Sequence, residues 1–408
     1  PYPDGLVPGT TYYWRIDEVN QADPNSPWKG DIWRFSVAPK TAYNPEPADG
    51  AEVVGLDNVT LKWKPGLGAK LHTVYFGDNF ETVSNAAGGL PQAPATYASG
   101  SLKPEKVYYW RVDEFDGAST HKGNIWAFTT PGAVGDPQPA NGASDVQMIA
   151  KLSWTPATNA TSHQVYFGTD QEAVRNATTA SAEYKGSKAK GSESYDPGKL
   201  AWYTPYYWRV DAVYSTGTVE GLVWSFRTAD FLLVDDFESY NDIDPPDPAS
   251  HRIFEAWADG FATPTTNGAL VGNNLPPYAE PTIVHGGSQS MPYSYDNNLK
   301  TSEATMTLVW PRDWTEEGVT KLSLWFRGDS ANAAERMYVA LNGTAVVYHA
   351  DPKAAQIGTW TEWVIDLQAF QGATLTNVNA IAIGFGTKGS PAAGGTGTVY
   401  FDDLRLYR

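Results

Sequence analysis

Apolar and polar positions alternate with period two along most of this chain. The clearest run occurs three times, as TYYWRIDEVN at 11–20, VYYWRVDEFD at 107–116 and PYYWRVDAVY at 205–214. Alternation puts Tyr12, Trp14 and Ile16 on one face and Tyr13, Arg15 and Asp17 on the other, which predicts a half-buried β-strand with a charged outer face. Tyr108, Trp110 and Val112 repeat the inner face, as do Tyr206, Trp208 and Val210. Leu6, Leu102 and Leu200 each precede the inner tyrosine by six positions. The motif tryptophans lie 96 and 98 positions apart, a domain-sized spacing that predicts tandem modules.

Residues 1–40 hold the second half of a module: the first motif strand, a turn-rich loop with two prolines, and IWRFSVAP at 32–39. A half-sandwich cannot cover its own inward face, so an upstream domain or a neighbouring protein chain is expected to complete it, and the chain is expected to be part of a longer protein. The second module spans 41–132, with VTLKWKP at 59–65, TVYFGDN at 73–79, the motif strand and NIWAFTT at 124–130. The third spans 133–230, with KLSWTP, QVYFGTD, the motif strand and VWSFRTAD in the same order. About seven short strands in 90–100 residues is the pattern of a β-sandwich.

After Asp230 the repeat stops. Residues 231–408 carry strand-like runs at 288–296, 304–310, 320–327, 336–341, 344–349, 361–367, 379–386 and 398–407, with one short helical candidate near 366–371. Eight or nine strands whose last lies beside the first predict a jelly roll.

The run Leu-x-Pro-Gly-Thr-x-Tyr-x-x-Arg-Ile at 6–16 resembles the sixth strand and tyrosine corner of fibronectin type III domains, and the tryptophans of KWKP and SWTP match that family's second strand. The resemblance covers 1–230; the doubled tyrosine and added tryptophan depart from it. It implies that Tyr12, Tyr108 and Tyr206 turn their hydroxyls back onto the preceding loop, a structural role. The last unit, through DDFES, GGSQS at 286–290 and VYFDDLRLY at 399–407, resembles the jelly-roll carbohydrate-binding modules of extracellular glycan-degrading systems. The expected fold class is therefore all-β: tandem fibronectin type III-like sandwiches followed by a jelly roll.

Charge narrows the partners. The net charge is −17, which argues against nucleic acid and anionic membranes, since both need a basic surface. No run of about 18 apolar residues is present, so no membrane insertion is expected. There is no cysteine, which removes disulfides and thiolate metal sites.

Two places carry candidate chemistry. Alternation puts Asp236 and Glu238 on one face of the first jelly-roll strand, and Tyr400 and Asp402 on one face of the last. The resemblance implies that these ends meet the loop at Gly287 and Ser288 around a structural calcium ion, with Asp236, Glu238, Ser288 and Asp402 as ligands. Calcium takes about six to eight oxygens, and clustered carboxylates need a cation or protons. Sugar binding needs exposed aromatic faces beside polar groups. Trp325, Arg327, Tyr338 and Asn342 are the candidates, expected to line one concave sheet. Aromatics on sandwich strands also serve as core packing. No carboxylate pair suits a glycosidase, no GxSxG or P-loop occurs, and the six histidines read as scattered surface or loop residues.

Two functions follow. One is a non-catalytic, extracellular or cell-surface region in which sandwich spacers present a carbohydrate-binding jelly roll to a polysaccharide or glycan. The other is a structural surface-layer, fibre or adhesion protein assembled through its sandwiches.

Overall fold

The computed structural model describes residues 5–23 and 26–408. The chain forms two compact units: one runs up to Arg227 without Ala201–Tyr203, and the other comprises Ala201–Tyr203 and Thr228–Arg408. Strands dominate both, with three short α-helices among the described residues.

In the first unit, the second module is a two-sheet sandwich. Thr60–Lys64 pairs with Tyr43–Glu46 and Thr96–Ala98 in one sheet. Val107–Phe115, the motif strand, centres the other between Leu71–Gly77 and Ile125–Thr129. Alternation turns Leu61 and Trp63 inward onto Trp110, Val112 and Phe128. Ring centroids lie 6.2 Å apart for Trp63–Trp110 and 4.7 Å for Trp110–Trp126. The third module repeats the plan, with Trp154–Trp208 at 6.3 Å and Trp208–Trp224 at 4.7 Å. The tyrosine corners form: the Val7 N–H donates to Tyr12 Oη at 2.7 Å, and the Lys103 N–H to Tyr108 Oη at 2.9 Å.

Among the described residues the first copy forms a hairpin of Thr11–Arg15 and Ile32–Ser36, with Trp14 opposite Trp33. Among the described residues no second sheet covers it. Trp14 is 42% and Trp33 51% exposed, where Trp110 is fully buried.

The charged outer face is corrected. Arg111, Asp113, Arg209 and Asp211 are buried. The sequence between the fourth and fifth strands of each complete module forms a short helix, Phe80–Asn85 and Gln171–Arg175, which lies over the motif strand. Arg111 donates to the carbonyls of Val83, Ser84 and Ala86 at 2.6–2.8 Å, closing a helix end that would otherwise leave acceptors bare. Arg209 does the same to Val174, Arg175 and Ala177. The motif aspartate is fixed in turn. Its Oδ1 accepts the N–H of Gly30, Gly123 or Gly221 at 3.3, 3.0 and 3.0 Å in the three copies. A Cβ on any of these glycines would overlap the carbonyl of Ile16, Val112 or Val210. The surface reading of the histidines is corrected too. His72 and His163 are buried, each edge-on to a core tryptophan.

The second unit is a jelly roll of two antiparallel sheets. One orders Leu270–Val271, Met291–Asp296, Thr396–Tyr407, Lys321–Arg327 and Thr361–Asp366, and Leu232–Asp235 pairs with the end of Thr396–Tyr407. The first strand thus lies beside the last. The other sheet orders Trp257–Ala258, Ser302–Thr307, Ala380–Phe385, Met337–Leu341 and Ala345–Tyr348. Tyr293, Leu324, Phe326, Ile383, Phe385 and Phe401 fill the space between. The helical candidate near 366–371 is a single 3-10 turn, Leu367–Ala369.

Candidate functional site

The acidic ends converge on the loop at 285–289, by a route that alternation does not describe. The first strand stops at Asp235, so Asp236 and Glu238 sit in the turn after it. Glu238 Oε1 accepts the N–H groups of Ser288 (2.8 Å) and Gln289 (3.0 Å), and Oε2 accepts Ser288 Oγ at 2.5 Å. At the other end, Asp403 takes a positive φ of 49° in a bulge, where Ser323 and Trp325 face Arg405 and Asp402. A bulge breaks the period-two rule. Two adjacent aspartates therefore face one loop. Asp402 accepts the N–H of His285 (2.9 Å) and Gly286 (3.2 Å), and Asp403 meets His285 Nδ1 at 2.7 Å and Arg405 at 2.6 Å.

Burial pushes Asp402 up to about 7, with the Asp403 charge adding to it and the backbone donors opposing. Burial also raises Asp236, aided by the charges of Glu238 and Asp403. Asp235, just before them, is a buried acceptor for Tyr240 Oη (2.6 Å) and Trp257 Nε1 (2.8 Å), and burial raises it as well. Among the described residues no three acids or histidines stand in a metal-binding arrangement. The strand ends are held by hydrogen bonds from the loop to the carboxylates.

The four aromatic-site candidates do not share a sheet, which corrects that expectation. Trp325 and Arg327 lie on Lys321–Arg327, whereas Tyr338 lies on Met337–Leu341 of the opposite sheet. Tyr338 is 1% exposed, packs with Ala340 and Ala382, and donates to Glu303 at 2.7 Å. Asn342 is a turn residue at φ 50° whose Oδ1 accepts the Asn379 N–H at 2.7 Å. Trp325 is half-buried, with one face covered by His285, stacked at 3.7 Å with planes 15° apart; Trp360 meets that imidazole edge-on at 5.8 Å.

A cleft that the sequence reading missed opens at one edge of the jelly roll, with a volume of about 580 Å³. The helix Ile253–Ala256, the short strands Trp257–Ala258 and Leu270–Val271, and the loop through Tyr278 build it. Phe254 and Tyr278 meet edge to face at 5.1 Å, with the Arg252 guanidinium over both rings. Arg252 is held by Asp244 (2.9 Å) and Glu255 (2.6 Å), and Tyr278 Oη donates to Asp244 at 2.9 Å. Phe261, 81% exposed, stands at the rim with Leu270, beside Asp259, Asn273 and Asn274. Apolar rings next to carboxylate and amide groups are what a sugar's CH and OH groups require. The segment carries neither period-two nor helical patterning, so only its aromatic and Asn content signals a site.

Fold and cleft define an all-β chain of sandwich modules ending in a jelly roll. No family model matches the chain, and no curated protein does. Similar solved structures include both kinds of module. The family 11 carbohydrate-binding module of a cellulosomal cellulase of Clostridium thermocellum is 14% identical, with 43% of this chain and 94% of that one covered, at a TM-score of 0.26. Three fibronectin domains of chicken CNTN1 are 15% identical, covering 55% and 79%, at 0.17. An exo-beta-agarase is 12% identical, covering 43% of this chain and 25% of that one, at 0.29.

Proposed function

We propose that this chain is a non-catalytic, extracellular or cell-surface region whose sandwich modules are spacers for a carbohydrate-binding jelly roll. The edge cleft carries the reading, because it joins the rings of Phe254 and Phe261 to Asp259, Asn273 and Asn274 in one open groove, with Tyr278 buried against Phe254. Affinity electrophoresis and calorimetry against a panel of soluble polysaccharides test it. Binding that is lost in Phe261→Ala and Tyr278→Ala, without release of reducing sugar, is expected. No binding across the panel, or glycan hydrolysis, overturns it. Trp325→Ala distinguishes this cleft from the His285–Trp325 face.

A structural calcium belongs to the proposal. The charges of Glu238 and Asp403 oppose the ionised form of Asp236, and a divalent cation held by Asp236, Glu238, Ser288 and Asp402 would relieve it. Chelation is expected to lower the melting temperature of the jelly roll and calcium to restore it; an unchanged melt removes the ion.

A second reading is favoured by the bare hairpin face of Trp14, Ile16, Trp33 and Phe35. It makes the chain a structural component that associates through this face. Concentration-dependent association that Trp14→Asp abolishes is expected; a monomer at all concentrations counts against it.

A further inference from the structure

The second and third modules belong to one compact unit, and side chains of both build the contact between them. One point of contact is the tyrosine-corner loop of the second module. Glu105 stands there at φ 56°, three positions before the corner tyrosine; the same place holds Gly9 at φ 79° in the first copy and Tyr203 at φ 48° in the third. A left-handed backbone strains a glutamate and not a glycine, so a glutamate kept there asks for a reason. Its carboxylate reaches the third module. Oε2 accepts Tyr214 Oη at 2.7 Å and the Asn159 N–H at 3.3 Å, and Oε1 accepts the Asn159 amide. Beside it, the Thr158 N–H donates to the Gly132 carbonyl at 2.9 Å. A Cβ on Gly132 would meet Thr158 Oγ1 at 2.8 Å and Glu105 Cγ at 3.2 Å, so the joint is closely fitted.

Part of this joint recurs. Where the first copy meets the second module, the Leu67 N–H donates to the Pro39 carbonyl at 2.7 Å. Leu67 and Thr158 hold equivalent places, each four positions after the tryptophan of KWKP or SWTP. A bond found at both boundaries belongs to the module plan.

The other point lies along the third module's motif strand. Phe80, which opens the second module's helix, meets Tyr109 edge to face at 5.6 Å. The Arg175 guanidinium of the third module lies over the Phe80 ring at 4.0 Å. Tyr109 is enclosed there: burial pushes its phenol up to about 12, with the third module's Glu220 adding to it. Arg209 holds the Arg175 carbonyl and stands five residues from Tyr214 on one strand, a rise of about 16 Å. A single point of contact leaves a swivel; two points this far apart fix the angle between the modules.

We propose that the second and third modules move as one body, a stiff arm clamped at Glu105 and at Arg175. Neighbouring domains move relative to each other unless their interface holds them, and these contacts supply that hold. The proposal deepens the spacer reading and rests on it for its purpose, since a stiff arm keeps what it carries at a fixed reach. The clamp needs no glycan, so its test and glycan binding can fail separately.

The test is pulsed EPR on the full chain, which has no native cysteine to compete for the label. Nitroxides at Ala98→Cys and Ser187→Cys, exposed positions on edge strands of the two modules, read the distance across the joint. Ala98→Cys with Ala118→Cys, both exposed, is the control pair within the second module. The cross-module distribution is expected to be as narrow as the control. Phe80→Ala with Glu105→Ala cuts both points from the second module, and Arg175→Ala with Asn159→Ala cuts them from the third. Each double variant is expected to widen the cross-module distribution at least about twofold and to leave the control pair narrow. A broad cross-module distribution in the parent, or a narrow one that survives either double variant, overturns the proposal. A control pair that widens with the variants assigns these residues to the module's own fold and also overturns it.

Discussion

Replacing Arg111 with methionine keeps a long apolar side chain in place and removes every polar contact of the guanidinium. Those contacts are two bonds to Asp113, at 2.8 and 2.9 Å, and three to the helix-end carbonyls of Val83, Ser84 and Ala86, at 2.6–2.8 Å. The Tyr75 ring, 4.5 Å from the guanidinium, also loses its cation. Breaking a buried ion pair by removing one partner costs about 3–5 kcal/mol, because the remaining charge stays buried. Asp113 retains one compensating donor, the Gly123 N–H at 3.0 Å, which argues for the lower half of that range. At 3 kcal/mol the module should melt about 12 °C lower or more, taking about 4 °C per kcal/mol for a domain of this size. The first motif copy is an internal control. Arg15 makes the same pair with Asp17 but is exposed and bonds no helix end among the described residues, so Arg15→Met should leave the melt unchanged. Calorimetry gives the melt, and hydrogen exchange over 80–86 and 107–115 assigns it to the second module. A loss below about 1 kcal/mol for Arg111→Met, the size of an exposed pair, would refute the clamp. The double variant Arg111→Met with Asp113→Leu should recover part of the loss, since no orphan charge remains.

Three further outcomes are expected. Gly123→Ala should cost about 1–3 kcal/mol by overpacking, because its Cβ meets the Val112 carbonyl; a thermal melt within error of the parent would show that the loop gives way. Tyr108→Phe should cost about 1 kcal/mol through the lost bond from the Lys103 N–H, read by urea unfolding. Burial pushes Glu114 above its ordinary value of 4.5, with His72, 2.5 Å away, opposing. A raised carboxylate favours the folded state below the ordinary value, and that contribution fades as pH rises through the folded one. Melting of the second module should therefore fall from pH 5 to pH 8 more steeply in the parent than in Glu114→Gln; equal slopes would exclude Glu114 as the source.

The fold was legible because its signals are redundant. Each module repeats Trp63 or Trp154 against Trp110 or Trp208 at the same strand offsets, so one motif supports the others. The bare face of Trp14 was legible for the same reason, since the complete copies show what normally covers it. The outer face of the motif was misread because alternation reports only that two faces differ. It cannot say that a helix of five or six residues will return over the polar one. Such a helix has too few positions to show a 3.6-residue period, and its partner, Arg111 or Arg209, is the residue type most often assigned to solvent.

The candidate sites were least legible where the backbone leaves regular geometry. Alternation put Asp402 beside Tyr400 and away from Asp403. The bulge at Asp403 turns both acids toward His285 and Gly286 instead. Sheet membership also lies beyond alternation: Trp325 and Tyr338 have the same inward–outward pattern, yet strand pairing sends them to opposite sheets. The edge cleft is assembled from segments with no period at all, so only residue content could signal it. The glycines at 386, 394 and 395 show how little such content fixes: Gly386 lies against the Asn297 amide, Gly394 against Glu335 and Gly395 against Ala333, so the missing side chains there mark close packing between loops.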